Sequence, residues 1–356
     1  YAAQRNMLPI ELRLAGVASG GVGMLSLGWW LRRSNSAYGL VLQGGGFGLL
    51  YLVIFATARL YSFVPIPIAL LLMIALVTLS CLLAIIQNAR SLAVFAIIGG
   101  FLAPVLMSTG DEGHVVLFSY YVLLNTGILA ISWFKSWREL NLLSFVFTFA
   151  LGTYWGSSGY RPEHFQTTEP FLLLFFVFYV LIAIFFAHRQ PLQLRGYIDG
   201  PLVFGLPLVV SSLQYFLVKD FQFGMAFSAF GFGLFYSLVA LLLWRKKVDS
   251  MGLLCEVFLT LGLVFGSLAI PLALDDHLSS SIWALEGAGM VWIGVRQKRM
   301  LARHFGLLLQ FAAACIFVDL VWYPLHALAF ANRYFLGCLF LALAALFSSY
   351  YLDMNR

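Results

Sequence analysis

The chain has 356 residues, 62% of them hydrophobic and only 10% charged, and its apolar runs reach the ~20 residues needed to cross a bilayer about a dozen times. That composition excludes a water-soluble globule, and the lack of polar alternation excludes a transmembrane β-barrel. The net charge of +6 sits in short loops between the apolar runs, where it reads as a topology signal and not as a nucleic-acid footprint.

The predicted fold is therefore all-α: a polytopic transmembrane helix bundle of about 13 spans. These fall at roughly 9–31, 37–60, 64–86, 91–108, 113–134, 138–156, 169–187, 199–217, 221–244, 250–271, 279–295, 302–323 and 332–351. No loop has room for a soluble domain, so residues 1–356 read as a single integral membrane domain. Counted along alternate loops from Arg32 and Arg33 onward, fifteen of the 21 Lys and Arg residues lie on one side. Arg5, Arg59, Arg161, Lys219 and Arg333 make up the other side, and Arg13 falls within the first span. This asymmetry predicts cytoplasmic basic loops and a periplasmic chain start in a bacterial inner membrane. With no initiator Met at Tyr1 and no signal peptide, the sequence reads as a fragment of a longer chain.

In chain order, the first span opens with Pro9 and carries Glu11 and Arg13, followed by Gly16 and Gly20; the second carries Gln43 with Gly44 and Gly48. Glycines four apart predict close helix packing at Gly16, Gly20, Gly44 and Gly48. The fourth span holds Gly99, Gly100 and Pro104, a candidate break whose freed carbonyls would line a cavity. The seventh span, "FLLLFFVFYVLIAIFF", has Tyr179 as its sole polar side chain and is expected to face lipid. Cys81, Cys255, Cys315 and Cys338 all fall inside spans, which predicts buried thiols and neither a disulfide framework nor a zinc site.

The spans that follow basic loops share a pattern. The second begins "GLVLQ", the tenth "GLLCE" and the twelfth "GLLLQ", which places Gln43, Glu256 and Gln310 at one depth of roughly 9 to 10 Å inside the boundary. Degenerate helical-hairpin repeats would explain this. Charged residues within spans need a partner or a wet cavity, so Arg13 is expected to pair with Glu286 or Asp319.

No G-x-S-x-G, H-E-x-x-H or phosphate-binding glycine loop is present. The nearest approach to a catalytic set lies in the loops opposite the basic ones: Asp111, Glu112 and His114; Glu163 and His164; Asp275, Asp276 and His277. If these converged, carboxylate and imidazole together would suit metal binding or acid–base work. No cofactor and no resident metal is expected.

Six stretches carry a family likeness in order: "LPIELRLAG", "LQGGGFGLLYL", "GGFLAPVL", "FSYYVLLN", "LNLLSFVFTF" and "WALEGAGMVWIG". Together they resemble the bacterial predicted membrane proteins called domain of unknown function 2339. The resemblance implies a bacterial inner-membrane protein, of which this chain would be an internal portion, and supplies no activity. Three functions stay open: a transporter, channel-like or membrane-embedded binding protein for a lipid or amphipathic envelope component, with a polar path from Gln43, Glu256 and Gln310 toward Glu286, Asp319 and Arg13; a membrane enzyme acting on a lipid-linked glycan or related envelope substrate at the periplasmic face; and a structural subunit. The expected partners are membrane lipids, such an amphipathic substrate and other membrane subunits.

Overall fold

The computed structural model describes residues 9–107, 113–135, 137–189, 201–245, 251–273, 276–296, 300–321 and 333–353. Among the described residues there are thirteen α-helices and no strand. They are α1 (Ile10–Leu31), α2 (Ser36–Phe55), α3 (Ile66–Gln87), α4 (Arg90–Met107), α5 (His114–Phe134), α6 (Arg138–Gly159), α7 (Phe165–Arg189), α8 (Leu206–Val218), α9 (Gly224–Arg245), α10 (Gly252–Ala273), α11 (Asp276–Arg296), α12 (Met300–Val321) and α13 (Arg333–Asp353). Eight, namely α1 to α5, α7, α9 and α10, are long and apolar enough to cross a membrane. The apolar parts of α8, α12 and α13 are shorter, and α6 and α11 carry more polar side chains.

Helix ends follow local chemistry. Pro9 and Pro65 precede α1 and α3, where a missing N–H costs nothing. The side chain of Asn35 caps α2, and Asn88 closes α3 in the left-handed conformation at φ 54°. Contacts divide the chain into two units, Tyr1–Leu217 with Val248–Met251, and Val218–Lys247 with Gly252–Arg356.

In the first unit α1 and α2 form an antiparallel hairpin held backbone to backbone. A Cβ on Gly28 would lie 2.6 Å from the Gly39 carbonyl, and one on Gly46 would lie 2.8 Å from the Gly21 carbonyl. The packing glycines are thus Gly21, Gly28, Gly39 and Gly46. At the expected positions, Gly16, Gly20, Gly44 and Gly48, a Cβ would meet nothing within 4 Å. The reason is helical phase: one residue is 100° of rotation, so Gly20 points away from the face on which Gly21 meets α2.

The interior of this unit is built on α4 to α7. Leu172, Phe175, Phe176, Tyr179, Val180, Ile182, Ala183, Phe186 and Ala187 of α7 are buried. The expectation of a lipid-facing seventh span is therefore corrected. A helix that is apolar all round carries no moment to separate a lipid face from a core face.

The second unit repeats the close-packed hairpin. A Cβ on Gly287 of α11 would lie 2.6 Å from the Gly306 carbonyl and 2.7 Å from Cγ of Gln310, matching Gly28 against Gly39 and against Gln43 Cγ at 2.7 Å. The α9–α10 hairpin closes instead on Gly233 against Gly262 and Gly266. An alanine cluster, Ala284, Ala288, Ala313 and Ala344, joins α11, α12 and α13. All four cysteines are free; Cys255 is buried, but Cys315 and Cys338 are exposed on their helices, contrary to expectation.

Candidate functional site

An apolar groove of about 200 Å³ lies between α3, α4 and α5 in the first unit. It is lined along α3 from Ile74 to Ile85 and along α5 from Leu123 to Phe134, with Ile97 and Phe101 of α4 as its back wall. Eleven steps of 1.5 Å along either helix make it about 16 Å long, half of a ~30 Å hydrocarbon core. The hydroxyl of Thr78, one of its few polar lining groups, is spent on the Ile74 carbonyl at 2.8 Å. Gly127 opens onto it, with no atom within 4 Å of where a Cβ would stand. Lys135 directly follows Phe134 of the lining, while Arg90, at the start of α4, is ion-paired with Glu139 of α6 at 3.8 Å.

The back wall is fixed by a proline and two tyrosines. Pro104 has no N–H to give the Gly100 carbonyl, four residues earlier. The Tyr120 hydroxyl donates to that carbonyl at 2.9 Å, and Tyr121 donates to the Phe101 carbonyl at 3.3 Å. The helix proposed to break at Gly99, Gly100 and Pro104 accordingly runs without interruption from Arg90 to Met107. Tyr51 of α2 lies over Gly99, where a Cβ would stand 3.0 Å from its ring.

Behind the groove lies a buried polar network that composition alone did not reveal. Asn125 donates to Thr148 Oγ1 at 3.0 Å and to the Tyr121 carbonyl at 2.9 Å, while Tyr179 donates to Asn125 Oδ1 at 2.7 Å. Ser132 donates to Asn141 Oδ1 at 2.8 Å. Each group has a partner, so the network ties α5, α6 and α7 together in apolar surroundings where an unmade bond would be costly. The signal was present in the sequence, as "FSYYVLLN" and "LNLLSFVFTF" contribute Asn125, Asn141 and Thr148; neutral polar residues simply do not stand out as charges do.

At the far end of α5, His114 and His164 come together from 50 residues apart, with ring centroids at 4.5 Å. His114 Nε2 is 2.6 Å from Thr167 Oγ1, and Trp155 lies 5.1 Å from the His114 ring. His164 Nδ1 and Thr168 Oγ1 are buried without hydrogen-bond partners. Close by in sequence, Glu169 of α7 accepts from Gln214 of α8 at 2.7 Å. Glu163 is exposed. Asp111, Glu112 and Asp275, and the side chains of Asp276 and His277, lie outside the described residues. Among the described residues no group of three or more His, Cys, Asp or Glu is gathered as a metal site would need.

The polar residues inside the helices find separate partners. Gln43 is fully buried and forms a reciprocal amide pair with Gln87 of α3, at 2.7 and 3.3 Å. Gln310 donates to Ser348 at 2.6 Å and to the Ala344 carbonyl at 3.4 Å, both on α13, and not to Glu256. Glu256 stands one turn into α10, and its carbonyl accepts from Thr260 at 2.7 Å. Glu286 is bonded to Ser267 of α10, within its own unit. Glu11 is exposed and Arg13 half-buried on α1, and the side chain of Asp319 lies outside the described residues.

Apolar helices of bilayer length, packed through glycines and buried polar bonds, define a multi-pass membrane protein. The chain belongs to the family described as predicted membrane protein (DUF2339), whose model matches residues 1–354. No curated protein and no solved structure matches it.

Proposed function

We propose that this is a membrane-embedded binding or transport protein for a lipid or amphipathic envelope component, in the cytoplasmic membrane of a bacterium. The groove between α3, α4 and α5 carries the reading. At about 200 Å³ it is smaller than the ~300–1,000 Å³ usual for drug-sized ligands. A length of about 16 Å matches the hydrocarbon chain of one leaflet. Lys135, directly after Phe134 of the lining, suits an anionic headgroup. The gathering of fifteen of 21 basic residues on alternate loops supports a cytoplasmic position for that end.

The test is photo-crosslinking in vesicles of anionic phospholipid that carry a diazirine in one acyl chain. Adducts are expected on the α3 and α5 peptides and should fall several-fold in Gly127→Trp, which fills the groove. Equal labelling of this variant and the parent would overturn the reading.

A second reading, a membrane enzyme at the opposite face, is favoured by the meeting of His114 and His164. Replacing both histidines by glutamine would abolish the cellular function if it holds. Retained function in the folded double variant would reject it.

A further inference from the structure

Glu286 is the eleventh residue of the 21-residue α11, about 15 Å from that helix's start. One oxygen, Oε1, is hydrogen-bonded to Ser267 Oγ; the other, Oε2, is buried with no hydrogen-bond partner. Ser267 is 2% exposed, and its carbonyl accepts from Trp283 Nε1 at 2.8 Å, so the two helices are tied on both sides of the serine. The same Ser267 Oγ lies 2.9 Å from the Leu263 carbonyl. A serine hydroxyl has a single hydrogen, while a carbonyl and an ionised carboxylate can only accept. With Glu286 ionised, two acceptors compete for one hydrogen and one contact is left between two oxygens. With Glu286 neutral, its own O–H donates to Ser267 Oγ, Ser267 donates to Leu263, and each of these contacts has one hydrogen.

We propose that Glu286 is a proton-binding site, neutral at neutral pH, and that proton release and uptake there loosen and restore the α10–α11 contact. Resting on the transport reading above, this makes the proton the coupling ion. Among the described residues no charged neighbour substitutes for that proton. On the helices packed against α11, the described charged or titratable side chains are Cys255 and Glu256 of α10, Arg303, His304 and Cys315 of α12, and Cys338, Tyr350, Tyr351 and Asp353 of α13. Among the described residues the hydrogen-bond partner of the Glu286 carboxyl is Ser267. Arg303 instead donates to the Gly294 carbonyl at 3.0 Å.

The test uses the full chain in proteoliposomes. Infrared difference spectra between neutral and alkaline pH should show a protonated-carboxyl C=O band that Glu286→Gln removes. Dicyclohexylcarbodiimide, which attacks protonated carboxyls in apolar surroundings, should label the Glu286 peptide at neutral pH and lose that adduct as pH rises. Glu286→Gln should keep the parent's thermal stability, because its amide N–H donates to Ser267 as the neutral acid does. A neutral-pH spectrum with no band sensitive to Glu286→Gln overturns the proposal, as does a variant destabilised like one that has lost an ion pair. Lipid crosslinking reads the α3 and α5 peptides, so failure of the groove reading leaves the carboxyl band in place, and loss of the band leaves the crosslinks in place.

Discussion

Removing the Tyr120 hydroxyl tests why α4 stays whole through Pro104. Tyr120 is 3% exposed, and its hydroxyl is 2.9 Å from the Gly100 carbonyl, which Pro104 leaves without a backbone donor. Tyr120→Phe keeps the ring and deletes the donor. The net loss of a made bond is about 0.5–1.5 kcal/mol, and stranding a buried acceptor raises the cost to about 1–3 kcal/mol. Measured interhelical bonds in membranes average ~0.6 kcal/mol with a maximum near 1.7. An expected loss of about 1–2 kcal/mol follows. Pro104→Ala supplies an N–H for the same carbonyl, so adding it to Tyr120→Phe should recover most of the loss. The assay is a double-mutant cycle on reversible unfolding in mixed micelles. Additive effects, with no coupling beyond ~0.3–0.5 kcal/mol, would show that tyrosine and proline do not serve the same carbonyl and would refute the argument.

Four further substitutions separate contacts from neighbours. Gly28→Ala puts a methyl 2.6 Å from the Gly39 carbonyl, and should cost about 1–3 kcal/mol in the same unfolding assay as the hairpin is forced apart. Gly20→Ala, with nothing within 4 Å, should be neutral or up to ~1 kcal/mol stabilising through helix propensity; a loss as large as that of Gly28→Ala would contradict the assigned face. Gln43→Leu strands the amide of Gln87 and should cost about 1–3 kcal/mol, most of it regained in the double leucine variant. Tyr179→Phe withdraws the donor that Asn125 Oδ1 accepts at 2.7 Å and should loosen α7 from α5, seen as faster hydrogen exchange in both helices.

Helix number and helix ends were legible because bilayer length and local chemistry are one-dimensional. Runs of apolar residues, and Pro9 at the first of them, mark where helices start and stop without reference to the rest of the chain. Rotational phase was not legible. Gly20 and Gly21 are equivalent in composition but 100° apart on the helix, and only a partner helix distinguishes them. The burial of α7 failed for the same reason, since "FLLLFFVFYVLIAIFF" offers no polar face to orient it. Histidines were visible as chemistry, but that His114 meets His164 depends on how α5, α6 and α7 pack. Ser267 gave no signal at all: a serine among apolar residues becomes significant only when a carboxyl from another helix lies against it.

The likeness between "GLVLQ" and "GLLLQ" turns out to encode a packing device. In lipid, helices gain nothing from hydrophobic exclusion of water, so close backbone approach and interhelical hydrogen bonds must hold them together. Gly28 against Gly39, and Gly287 against Gly306, allow that approach; the fourth residue after the second glycine, Gln43 or Gln310, then lays its Cγ on the first glycine. With its stem pinned there, the amide is presented to a third helix: Gln87 of α3 in one unit, Ser348 and the Ala344 carbonyl of α13 in the other. "GLLCE" shares the letters but not the device, because a Cβ on Gly252 would meet nothing within 4 Å and the α9–α10 hairpin closes on Gly233 instead. If the device is what repeats, placing Gln at position 256 should create no new tie, and exchanging Gln310 for Glu should put a carboxylate against the Ala344 carbonyl. Two oxygens would then face each other where an N–H had donated, and the variant should lose about 1–3 kcal/mol of stability. Unchanged stability in Gln310→Glu would mean that the amide's donor, and hence the third-helix tie, contributes nothing.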